Sequence, residues 1–233
     1  MTDTQVTSAG IETRIEHVRQ RIAEAATVTG RDPTGITIVA VTKSVDRSVV
    51  DLAFAAGLRH FGENRVRDAL RKFDPPLPPG ATLHMIGQLQ SNKARHAIEL
   101  FDFVESVDRS SLVLALEKHA ADRGRKLPVL IQVNVAGEDQ KAGCHPLDAQ
   151  RLASMVLHQP HLELRGLMTI APLVVETETI RPVFRQLRQL RDQLQINLPD
   201  GRLSILSMGM SNDYQIAIEE GATHVRIGRA IFG

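Results

Sequence analysis

The sequence predicts a single α/β barrel of the (β/α)8, TIM type, spanning residues 1–233 as one domain and preceded by a leading helix. Short β-rich runs alternate with turns and stretches of helical periodicity along the chain. About eight such units occur, the number that closes a barrel. The 233-residue length also falls in the range of roughly 200 to 250 residues that single α/β barrels occupy. An open doubly wound sheet would share the alternation, and the eight units favour the barrel over it. No low-complexity segment or linker divides the chain.

The leading helix is marked by Ile11, Ile15, Val18, Ile22 and Ala25, apolar at steps of four and three, and closes near Gly30 before a turn at Asp32 and Pro33. The first strand, ITIVAVTK (36–43), is apolar and β-branched enough to be buried on both faces, as parallel strands are. A helix holding Leu52, Ala53 and Ala56 follows, then strand two, RHFGEN (59–64), and helical spacing as far as PPLPPG (75–80). That proline run suits neither a helix nor a sheet interior. Strands three and four are TLHMIG (82–87) and FVESVD (103–108), with helices near 92–100 and 111–121. PVLIQVNV (128–135) is the most strand-like segment, and the polar loop GEDQKAG separates it from a helix at about 146–157. LRGLMTI (164–170) precedes a long helix with Phe184, Leu187, Leu190 and Leu194 on one stripe. ILSMGM (205–210), a short helix at 213–220 and HVRIG (224–228) complete the series.

Hydrophobic residues make up 42% and charged residues 24% of the chain, an ordinary globular balance. Lys plus Arg number 28 against 27 Asp plus Glu, so bulk attraction to nucleic acid or anionic lipid is not expected. MTDTQVTSAG lacks the features of a signal peptide, and no apolar run reaches the roughly 18 residues of a membrane helix. The one cysteine, Cys144, cannot form an internal disulfide and reads as a free loop thiol in a reducing cytoplasm. Nine histidines without HxH, HExxH or CxxC support no metal site, and neither GxSxG nor GxxxxGK[ST] is present.

Barrel chemistry sits at the C-terminal ends of the strands. There the sequence places Lys43, Asn64, Asn134, Ser211, Arg226 and Gly228. Lys43 follows the apolar run IVAV, which would set its ammonium in the barrel mouth. Desolvation and a nearby cation would then lower its pKa and leave an amine suited to Schiff-base chemistry; the competing reading is a lysine that snorkels to solvent. The segments after strands seven and eight are where barrels build phosphate sites. In SMGMSNDY, Gly209 permits close backbone approach, and Ser211 either caps the next helix or donates to a phosphate. In RIGRAIFG, Gly228 and Arg229 offer consecutive amides, and Arg226 either serves the site or pairs with a carboxylate. His84 suits an interior or a site role, and Asn64 and Asn92 suit a site or plain helix starts.

AVTKS, HFGENRV, HMIGQLQSNKAR, VLIQVNV, RGLMTI and LSMGMSNDYQIAIEEGATHVRIGRAIFG, in order and across nearly the whole chain, resemble the pyridoxal phosphate homeostasis proteins. Those proteins in turn resemble the N-terminal barrel of alanine racemase, the type III fold of pyridoxal 5′-phosphate (PLP) proteins. The resemblance implies that Lys43 carries PLP as an internal aldimine and that Asn64 lines the pocket near the ring. It further implies that Met210 and Ser211 lie beside the cofactor with Ser211 on its phosphate, that Arg226 faces the pyridine nitrogen, and that the Gly228 and Arg229 backbone completes the phosphate cradle. Two departures stand out. Arg229 occupies a position where many relatives have threonine, and SVDR follows Lys43 where relatives often have a proline-containing turn.

An arginine opposite the pyridine nitrogen discourages its protonation and makes the ring a poorer electron sink. Alanine racemase compensates with two bases, one a tyrosine from a second domain; here the chain stops just after strand eight and Tyr214 is its only tyrosine. The resemblance therefore implies a monomeric, cytoplasmic, non-catalytic protein that holds, buffers or delivers PLP and influences amino-acid and keto-acid balance indirectly. PLP-dependent apoenzymes are the expected partners, with no nucleic acid or membrane. A small racemase or decarboxylase using Lys43 as its base, and a cofactor-free Schiff-base aldolase, stand as alternatives.

Overall fold

A computed structural model describes residues 7–138, 140–172, 177–198 and 202–233. Eight parallel strands close into a barrel in chain order: β1 (Thr37–Val41), β2 (His60–Glu63), β3 (Thr82–Met85), β4 (Phe103–Val107), β5 (Leu127–Gln132), β6 (Leu162–Met168), β7 (Ile205–Met210) and β8 (His224–Ile227). β8 pairs with β1, so no edge is left open. The helices of the alternation are α2 (Arg47–Ala55), α3 (Val66–Lys72), α4 (Ala94–Leu100), α5 (Ser110–Ala121), α6 (Ala149–Leu157), α7 (Arg181–Asn197) and α8 (Tyr214–Glu219). The TIM-type architecture expected from the sequence is the one observed.

The leading helix α1 (Ser8–Val28) is started by Thr7, whose hydroxyl accepts from the Gly10 amide. Its stripe of Ile11, Ile15, Val18 and Ile22 is buried and packs against α8 and a final short helix, α9 (Arg229–Phe232). Arg14 donates to the carbonyls of Ile231 and Gly233, and Arg31 to those of Ile218 and Ala222. The chain's first helix thus covers its last βα unit.

Alternation along each strand divides the side chains between two environments. Outward residues such as Val104, Val129, Ile131, Leu167, Leu206, Val225 and Ile227 join one core with the helices. Inward residues Phe103, Leu130, Met168 and Ile205 form a second, smaller apolar cluster. Other interior positions carry polar groups, among them Glu105, Ser207 and Arg226, described below.

Several strands end earlier than their apolar runs suggest. β1 stops at Val41, because the Val45 amide donates to the Thr42 carbonyl and opens a turn that contains Lys43. β5 stops at Gln132; Asn134 lies in the following loop, its Nδ2 donating to the Glu138 carbonyl at 2.8 Å. β8 stops at Ile227, and Gly228 caps α9, a short helix that the periodicity of the sequence does not announce. No helix among the described residues is long and apolar enough to cross a membrane.

Candidate functional site

Register brings the expected site residues to one rim. Ala40 is level with Ile227 across β1 and β8, and Val41 with Gly62 across β1 and β2. Lys43, Asn64 and Gly228 therefore leave the barrel from three adjacent strands. Lys43 itself corrects an expectation: it is exposed in its turn rather than buried in the mouth. The buried base beneath it is Thr42, whose hydroxyl donates to Glu63 Oε1 at 2.6 Å. Lys72 Nζ donates to the Thr42 carbonyl at 2.5 Å and to Glu63 Oε1 at 2.7 Å. The peptide immediately before Lys43 is thus clamped, while Lys43 itself is exposed.

Asn64 is half-buried and pressed against the end of β3: a Cβ at Gly87 would lie 2.2 Å from the Asn64 carbonyl oxygen, which only glycine permits. Near the end of β7 the backbone bends at Gly209, whose φ is +91° and whose added Cβ would sit 2.6 Å from Ala217 Cβ. Asp213, the residue before α8, accepts from the Met210 amide. Ser211 is therefore not the helix cap. Its hydroxyl oxygen instead accepts from the amides of Gly228 and Ala230, each at 3.3 Å. Arg229 is exposed, with Nη2 donating to Asn212 Oδ1. Among the described residues no hydrogen bond joins Lys43 to Asn64, Met210, Ser211, Arg226, Gly228 or Arg229.

Arg226 is 4% exposed inside the barrel. Its Nη1 donates to Ser207 Oγ and its Nη2 to the Thr169 carbonyl, both at 2.7 Å. Among the described residues it makes no direct ion pair; Ser207 Oγ reaches Glu105 Oε2 at 2.5 Å and carries the connection to a carboxylate. Glu105 Oε1 meets His84 Nδ1 at 2.7 Å, and His84 Nε2 meets His60 Nδ1 at 3.0 Å. His84 also stacks on Phe103, with His224 beside it. Both readings of His84 are answered, since it is an interior residue linked to the candidate site.

Burial alone would push the Glu105 carboxyl up, but the bond from His84 and the charges of His84, Arg226 and His224 bring it down to about 2. Burial lowers His60 and His224 to about 4 each. Burial also lowers Arg226, against the opposing pull of Glu105 and Asp213. Cys144 is a free thiol in the loop after β5, as expected, and it is buried there; burial followed by Asp148 and Asp108 pushes the thiol up to about 12, which makes it a poor nucleophile.

Glu105 and Ser207 escaped the sequence reading because attention to strand ends passes over strand bodies. The available signal was a charged and a hydroxyl residue at alternate, inward positions of FVESV and ILSMGM, where lone polar groups need partners. Among the described residues no cluster suits a metal ion. Chemically, the rim offers an amine able to condense with a carbonyl and two amides converging on one oxygen position. A buried guanidinium, of whose five N–H groups two are taken by Ser207 and Thr169 among the described residues, lies below them.

A sequence-family model described as the N-terminal domain of alanine racemase matches residues 13–233. A pyridoxal phosphate homeostasis protein of Pseudomonas aeruginosa is 44% identical over 223 residues, covering 96% of this chain and 95% of its own. The structure of PipY from Synechococcus elongatus PCC7942 with PLP bound is 39% identical, with a TM-score of 0.80 over 91% of this chain and 100% of its own. Alanine racemase from Corynebacterium glutamicum shares the fold at a TM-score of 0.75 and 15% identity, this chain covering 60% of its length.

Proposed function

Since this chain belongs to the alanine racemase N-terminal domain family, and within it to the pyridoxal phosphate homeostasis proteins, we propose that it is a PLP-binding protein that holds, buffers or delivers the cofactor and is not an enzyme. The observation that carries this reading is the convergence of the Gly228 and Ala230 amides on Ser211 Oγ, just beyond the end of β8, the strand paired with the β1 that leads to Lys43. Two N–H donors set on one oxygen at long distance form a cradle that a phosphate oxygen can share. The PipY structure with PLP bound supports the same cofactor.

PLP supplies an aldehyde that takes a lysine amine as a Schiff base. Lys43 is the residue that would hold it, its exposure leaving the amine free to capture and release. Asn64 and Met210 would flank the ring, Ser211 with the backbone of Gly228 and Arg229 would bind the phosphate, and Arg226 would face the pyridine nitrogen. A guanidinium there offers N–H to that nitrogen and keeps it unprotonated, which suits storage better than carbanion chemistry. The only tyrosine, Tyr214, is buried at the start of α8 within the influence of Arg21 and Glu24 of α1. It faces the leading helix and is not placed to act as a second base at the mouth.

On this reading the protein is a single-domain cytoplasmic monomer that exchanges cofactor with PLP-dependent apoenzymes. Purified protein mixed with PLP should develop a visible absorbance band that Lys43→Ala or borohydride abolishes; a parent protein that stays colourless sinks the proposal. Racemisation and α-proton exchange over a panel of amino acids then separate carrier from enzyme. Multiple turnovers at an ordinary enzymatic rate would favour the small racemase instead.

A further inference from the structure

We infer that Glu105 is the positioning residue of this site: through Ser207 it aims the Arg226 guanidinium, and it supplies the fixed negative charge against which that guanidinium is held. The inference rests on the PLP reading above and adds to it a residue outside the rim.

Glu105 is fully buried in β4, across the barrel from β8, and both of its oxygens are engaged. An ionised carboxylate can only accept, so it dictates the direction of every bond in the chain. Ser207 must give its hydroxyl proton to Oε2, which leaves its lone pairs for Arg226 Nη1. His84 must carry a proton on Nδ1 to donate to Oε1, and in the neutral ring its Nε2 then accepts from Nδ1–H of His60. The order is therefore His60 to His84 to Glu105 from one side, and Arg226 to Ser207 to Glu105 from the other. With Nη1 on Ser207 and Nη2 on the Thr169 carbonyl, the plane of the guanidinium is set from below.

The ionisable groups around this carboxylate are His60 on β2, His84 on β3, His224 and Arg226 on β8, and Asp213 before α8. At neutral pH His60 and His224, lowered to about 4 by burial, are uncharged, and Glu105 is the balancing charge for Arg226 that the guanidinium reaches by hydrogen bonds through Ser207. A glutamine cannot replace it. Its amide nitrogen would have to donate either to Ser207, turning the hydroxyl proton toward Arg226, or to His84, forcing the other tautomer. One bond of the chain must reverse in either case.

Two measurements test this. In protein without cofactor, imidazole ¹H–¹⁵N spectra should show His84 as the Nδ1–H tautomer, and the Nε2–H form in the parent protein would overturn the inference whether or not PLP binds. In PLP titrations followed by the visible band, Glu105→Gln and Ser207→Ala should each weaken binding about tenfold, the effect of one lost hydrogen bond to a charged group. Removing a buried negative charge also disfavours protonation nearby. The pH midpoint of the band should therefore fall by about one unit in Glu105→Gln and stay near the parent value in Ser207→Ala. Affinity and midpoint unchanged in the folded variants overturn the inference, as does weaker binding by Glu105→Gln with its midpoint unmoved, which is a packing effect. Should Glu105→Gln not fold, the affinity of Ser207→Ala decides. A parent protein without a Lys43-dependent band fails the PLP reading itself and leaves the tautomer result standing.

Discussion

Lys72 shows how a residue distant from the rim in sequence governs the one expected to react. Its side chain is 13% exposed, and its ammonium bridges the Thr42 carbonyl and the buried Glu63 carboxylate. Lys72→Met would strand that carboxylate without a cation, and breaking a buried pair from one side costs about 3 kcal/mol. Urea unfolding should show the loss, together with weaker PLP binding as the peptide before Lys43 loosens. A second residue-scale expectation concerns acid. His224 and His60 are near 4 in the folded chain against about 6.5 when unfolded. Between those values the unfolded chain binds protons that the folded one refuses, so stability falls as pH drops from about 6.5 toward 4. Glu105, at about 2 when folded, adds a further loss as pH falls below about 4.3, its unfolded value. Unfolding free energies measured at pH 7 and pH 5 should differ, and His224→Phe should flatten the slope; equal values at both pH values would contradict the neutral histidines.

Elements meet most tightly where the ends of β2 and β3 converge. Gly87→Ala would drive a methyl into the Asn64 backbone, and overpacking of this kind costs about 2 kcal/mol. Thermal unfolding should register that loss, and the displaced Asn64 should weaken cofactor binding more than an exposed substitution such as Leu114→Ala would. The leading helix makes a different contribution. Ile15 is 1% exposed beneath α1, and Ile15→Ala should cost about 3 kcal/mol in urea unfolding through the transfer and cavity terms together. Because α1 covers α8 and α9, which flank the Ser211 and Gly228 turn, PLP affinity should fall with it. That α1 stripe was legible as periodicity, and so were the eight strands, since each needs only local spacing. Strand ends were less legible: the Thr42 and Val133 amides still donate across the ladder to Gly62 and Met168, but the Thr42 carbonyl turns to Val45, Val133 bridges to Cys144 and the Gly228 amide turns to Ser211, bonds that no local pattern announces.

As a whole molecule the barrel is expected to sediment as a 25.7 kDa species, and a dimer mass at micromolar concentration would contradict the proposed monomer. The order of alternating strand and helix, the leading helix, and the residues gathered at strand ends were determined by the sequence alone, because hydrophobic period and turn chemistry are properties of neighbours along the chain. The phosphate-capable loops and Arg226 were visible for the same reason. Only the closed barrel decided that Ser211 meets the Gly228 and Ala230 amides instead of capping α8, and that Lys43 stands exposed above a clamped peptide. It alone showed that Arg226 answers to Glu105 across the barrel. Those partners lie as many as 121 residues apart, on β4 and β8, and only closure of the sheet brings them within one hydroxyl of each other. Burial then makes a hydrogen-bonded answer obligatory for each charge, and that constraint acts on the assembled interior, which no stretch of sequence contains.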